Sequence, residues 1–125
     1  MTFDWSEYFK LAQELAGRPV SLANEEAKLR SSISRAYYAA FCKARNYLRD
    51  IEGHLIPSGA DVHEYVRVEF KRSPDKLRKK IGWELDQLRI GRNRADYQDS
   101  VTGLASTATM SLRLTQDVIS TISIL

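Results

Sequence analysis

The chain has 125 residues, 43% hydrophobic and 28% charged, with one cysteine and a net charge of +3. That length fits a single domain over residues 1–125, and the balance of apolar and charged residues excludes a disordered chain. The lone cysteine excludes an intramolecular disulfide and a multi-cysteine metal site, and no apolar run reaches the roughly 18–20 residues of a membrane span, so a cytoplasmic protein without membrane contact or cofactor is expected.

Asp4 and Glu7 stand where a secretory signal would be basic and then apolar. Thr2 can cap a first helix whose apolar residues Trp5, Tyr8, Phe9, Ala12 and Leu15 follow helical spacing, with Gly17 and Pro19 ending it. Ser21 or Asn24 opens a long second helix to about Ile51, with an inner stripe of Ile33, Tyr37, Ala40, Ala44, Tyr47 with Leu48, and Ile51. Gly53 stops it, and residues 53–60 form a loop. Asp61-Val62-His63-Glu64 has the outline of a capping box and begins a short third helix through Phe70. Ser73-Pro74 restarts the chain, Ser as cap and Pro at the first helical position. The fourth helix carries Leu77, Ile81, Leu85 and Leu88 inward; the fifth carries Leu104, Ala108, Leu112, Thr115, Ile119 and Ile122. Only the β-branched tail from Val118 to Leu125 has any strand character. An all-α, up-and-down bundle of about five helices is expected.

The excess positive charge is concentrated. Residues 67–94 hold ten bases and four acids, whereas the segments on either side are slightly acidic. Such a window suits an anionic partner, nucleic acid first, or else a solvated helix face balanced by acids elsewhere. Extending the stripe Ile81, Leu85, Leu88 by one turn lands on Arg92, so a guanidinium faces inward, with Asp96 one turn later to pair with it. The adjoining stripe Trp83, Gln87, Ile90, Arg94 and Tyr97 is fit to stack on a base or on a second subunit. On the second helix, Arg35, Tyr38, Cys42, Arg45 and Arg49 form another stripe beside Tyr37. Helix packing explains that stripe as well as ligand binding does.

Most catalytic patterns are absent. The chain has no glycine-rich phosphate loop, no nucleophile elbow and no histidine pair at metal-ligand spacing. Cys42 reads as a small buried hydrophobe, His63 as a structural residue, and His54 as a loop residue without a role.

Two segments together carry a resemblance: Ser34-Arg35-Ala36-Tyr37-Tyr38-Ala39-Ala40-Phe41 and Arg92-Asn93-Arg94-Ala95-Asp96-Tyr97. They are similar to the paired motifs of the HEPN superfamily (higher eukaryotes and prokaryotes nucleotide-binding), in its small stand-alone prokaryotic branch, and His63 also fits that branch. The resemblance implies a helical bundle that commonly forms a homodimer, with the late-helix motifs meeting in a cleft. It implies metal-independent ribonucleases of toxin–antitoxin and defence systems, or companions of a minimal nucleotidyltransferase. The nuclease motif opens with Arg and a polar residue, matched by Arg92 and Asn93, and then needs a histidine four to six residues beyond the Arg. Here Tyr97, Gln98 and Asp99 follow instead. A tyrosine with a pKa near 10 is a poor base at neutral pH, whereas Arg92 still suits phosphate binding and charge stabilisation.

The expected function is therefore binding of RNA or nucleotide. Arg35, Tyr38, Arg92 and Arg94 are the binding candidates, and Arg92, Asn93 and Tyr97 the catalytic ones. Tyr37, His63 and Asp96 are expected to orient the site. The alternatives are a non-catalytic helical partner of a nucleotidyltransferase or other protein, using the apolar Trp83/Ile90 and Val118–Leu125 surfaces, and a purely structural Arg92–Asp96 ion pair.

Overall fold

The computed structural model describes residues 3–15, 17–18 and 22–125. They form five helices: α1 (Ser6–Leu15), α2 (Glu25–Asp50), α3 (Asp61–Lys71), α4 (Lys76–Tyr97) and α5 (Leu104–Ile122). No strand occurs among the described residues, and the tail expected to have strand character continues α5 to Ile122. The expected roles of Thr2, Pro19 and Ser21, and the side chains of Tyr8, Phe9 and Ala12, lie outside the described residues.

Helix ends follow local chemistry, not always as the sequence suggests. Asn24 caps α2 in extended geometry, its side chain accepting from the Ala27 amide at 2.8 Å. The capping box at Asp61 does not form. The residue before α3 is Ala60, already in helical geometry with no side-chain cap, so Asp61 sits inside the first turn. At α4 the cap is Asp75 rather than Ser73: the Asp75 carboxylate accepts from the Arg78 amide at 2.9 Å, and Ser73 Oγ accepts from Asp75 at 3.2 Å. Pro74 thus precedes the cap.

The main core joins Tyr37, Ala40, Ala44 and Leu48 of α2 to Val66 and Phe70 of α3, Ile81, Leu85 and Leu88 of α4, and Val118 of α5. Fully burying each large apolar side chain contributes about 1.5–3 kcal/mol. Small residues let α2 and α5 approach: Thr115 Oγ1 donates to the Ala36 carbonyl at 2.8 Å in the interior. Gly82 serves α3 and α4 likewise, since a Cβ there would fall 2.7 Å from the Lys71 backbone nitrogen. Three inner positions differ from expectation. Ile51 is exposed because α2 has ended there, Leu112 points outward while Ser111 faces in, and Cys42 is only partly buried. Leu77, in the first turn of α4, makes a fourth, at 39% exposure.

Candidate anion site at the end of α4

Arg92 is 9% exposed, as its place on the inner stripe of α4 requires. Its guanidinium carbon lies 5.0 Å from the Tyr37 ring centroid, 5.3 Å from that of Tyr38 and 6.0 Å from that of Tyr97. Cation–π attraction to this aromatic cage partly offsets the cost of burying the charge. Conventional pairing is thin. Asp96 Oδ2 is 3.7 Å from Nη1, the hydrogen bond to the Tyr97 hydroxyl is long at 3.5 Å, and the buried Nε has no partner. Asp96 instead accepts from Ser34 Oγ at 3.1 Å, which ties the end of α4 to the first motif on α2. Burial pushes the Asp96 carboxyl above its usual range, against the pull of Ser34, Arg92 and Arg30.

Behind the cage, the fully buried Tyr37 shares a 2.6 Å hydrogen bond with His63 Nδ1, joining α2 to α3. The His63 ring stacks on Phe41 at 4.2 Å and meets Tyr38 edge-on at 6.0 Å. Burial pulls the His63 pKa below the ordinary histidine value, helped by the Arg92 and Arg67 charges, which favours the neutral ring. Burial raises the Tyr37 phenol; Arg92, by charge and hydrogen bonding, opposes that rise, as does Arg67.

The site therefore gathers Tyr37, Tyr38, His63, Arg92, Asp96 and Tyr97. Asn93 is partly buried beside Arg92 in sequence. Arg35 and Arg94 lie elsewhere: Arg35 lines a groove with Leu11, Lys28 and Leu112, and Arg94 lines a cleft with Ile90, Gly91 and Met110. Among the described residues, no His, Cys, Asp and Glu gather in threes to hold a metal, and no helix is long and apolar enough to cross a membrane.

Two residues escaped the sequence reading. Arg67, ion-paired to Asp86 at 2.8 Å, adds its charge to the His63 side of the site. Arg30 is fully buried; its Nη1 donates to the Ala95 and Gln98 carbonyls at 2.8 and 2.7 Å. Extending the α2 stripe back from Ile33 by three residues would have found Arg30. Nothing in the spacing marks Arg67.

A family model of the HEPN domain matches residues 20–125. Neither a curated protein nor a solved structure matches the chain.

Proposed function

The chain belongs to the HEPN family, and on that premise we propose that it binds RNA or nucleotide through Arg92, in a toxin–antitoxin or defence system. HEPN domains are known for RNA-binding and ribonuclease roles in such systems, and they often dimerise. The observation that carries the reading is the under-filled Arg92 guanidinium. Beyond its interaction with the Tyr37 phenol, a group with five donors has one long hydrogen bond, one loose ion pair and a buried unpartnered Nε. Phosphate oxygens are the acceptors such a fork fits best. Tyr97, 72% exposed, and the partly exposed Tyr38 offer ring faces on which a base can stack. The basic window of residues 67–94 supplies the attracting field. Arg92 and Asn93 match the opening of the nuclease motif while Tyr97 stands in the histidine's place, so this reading extends to binding and charge stabilisation only.

Fluorescence anisotropy with single-stranded RNA at low and moderate salt tests it. The native chain should bind more weakly as salt rises. Arg92→Met should lose about tenfold or more in affinity while its melting temperature holds. Undiminished affinity in Arg92→Met sinks the reading.

A second reading, a helical partner for a nucleotidyltransferase or another copy, is favoured by Trp83 and Ile90. They are 56% and 45% exposed two turns apart on α4. Light scattering of the native chain and of Trp83→Ser tests the homodimer form; an unchanged monomer in both counts against it.

A further inference from the structure

The Tyr37–His63 pair has a consequence for the same site, and it rests on the binding reading above. Two features favour Nε2 as the nitrogen of His63 that carries the proton. Arg92, the charged neighbour of the Tyr37 phenol, has donors only. The phenol hydrogen therefore has His63 Nδ1, 2.6 Å away, as its acceptor. The reverse arrangement would leave the hydroxyl hydrogen of a fully buried tyrosine facing a cation and aromatic rings, which costs about 1–3 kcal/mol. With Nδ1 accepting, the neutral ring keeps its single proton on Nε2. Nε2 has no hydrogen-bond partner among the described residues, and the ring is partly exposed. His63 and Arg92 border the same Tyr38 ring, at 6.0 Å to its centroid from the imidazole centroid and 5.3 Å from the guanidinium carbon.

We propose that His63 is a second anion-binding residue of this site. Tyr37 sets its tautomer, and Nε2–H donates to an oxygen of the phosphate that Arg92 holds. The site then grips one phosphate with a cation and a neutral donor carried on different helices, α4 and α3. Tyr37 is a positioning residue and touches no ligand.

The test uses the full chain and a short 2′-O-methylated single-stranded RNA, which cannot be cleaved through its 2′ oxygen. Nitrogen NMR of the free protein at neutral pH should show His63 protonated at Nε2; a ring protonated at Nδ1 overturns the proposal. His63→Ala should weaken binding about tenfold. His63→Gln, whose amide N–H can occupy the Nε2 position, should recover most of that loss. Tyr37→Phe should shift the His63 tautomer population toward Nδ1–H and weaken binding by a smaller factor. Full affinity in both His63 variants, with affinity still lost in Arg92→Met, overturns the role of His63 and leaves the binding reading standing. Full affinity in Arg92→Met as well removes the binding reading itself.

Discussion

Arg30 on α2 donates to the carbonyl of Ala95, 65 residues later, at 2.8 Å, and the same Nη1 reaches the Gln98 carbonyl. The guanidinium thereby takes up carbonyls that the end of α4 would leave without partners, and its charge meets the negative pole of that helix. Its Nε donates to Glu26 at 3.0 Å, and its guanidinium carbon lies 4.3 Å from the Phe3 ring centroid. Arg92 is less saturated, with a 3.5 Å hydrogen bond to Tyr97, a 3.7 Å ion pair and an unpartnered Nε. One arginine is spent on the fold, while the other keeps donors in reserve.

Arg30→Met should therefore cost about 3 kcal/mol or more of stability, because buried carbonyls lose their donor. Arg30→Lys should recover little, since an ammonium cannot reproduce the planar fork. Urea denaturation checks both, and a cost within error for Arg30→Met would show the carbonyls satisfied without it.

Two glycines of α4 should respond oppositely to alanine. A Cβ on Gly82 would fall 2.7 Å from the Lys71 backbone nitrogen, so α3 and α4 must separate, at about 1–3 kcal/mol. A Cβ on Gly91 would meet nothing closer than Thr107 Cγ2 at 3.4 Å, ordinary contact. There the helix preference for alanine, up to about 1 kcal/mol, should leave Gly91→Ala neutral or stabilised. Thermal melts of the two variants separate the cases.

Glu84 is 3% exposed, and its Oε1 has no hydrogen-bond partner. Burial and the neighbouring Asp117 push its pKa up to about 8, while Lys80 pairs with Asp117 at 2.7 Å. The unfolded chain loses this proton near the ordinary glutamate value of 4.5, whereas the fold retains it to about pH 8. Stability from this group should therefore fall as pH rises between those values, by up to about 1.4 kcal/mol per pH unit. Glu84→Gln should flatten the fall and raise the melting temperature at pH 8 more than at pH 5. Parallel profiles for the two proteins would contradict this.

Tyr97 should separate stacking from hydrogen bonding. Tyr97→Phe keeps the ring and loses only a 3.5 Å contact with Arg92, so RNA affinity should stay within about twofold. Tyr97→Ala removes the ring, and about 1–3 kcal/mol per stacked base predicts at least a fivefold loss. Its 72% exposure predicts no change in melting temperature. Equal affinity in all three proteins would remove Tyr97 from the site.

The five helices were legible because apolar spacing reports burial over many turns, and Arg92 facing inward followed from the same arithmetic. Local caps were legible only in part: Asn24, one of two candidates, does cap α2, whereas the starts of α3 and α4 differ from expectation. Asp75 and Ser73 both suit a helix start, and only backbone geometry chooses between them. Arg35 sits two residues before Tyr37 in the motif, yet α-helical rotation turns it toward α1 and α5. The Tyr37–His63 bond was hidden for another reason: it links residues 26 apart on different helices, a distance that periodicity cannot span.

The chain's two tryptophans occupy contrasting places. Trp5 donates from its indole to Asp99 at 2.8 Å and lies 5.1 Å from the Arg30 guanidinium carbon, whereas Trp83 is largely exposed. With Trp83 replaced by phenylalanine, the remaining indole is an optical reporter wired to the end of α4. Its emission would register, without any label, whether ligand at Arg92 tightens or loosens the turn that follows.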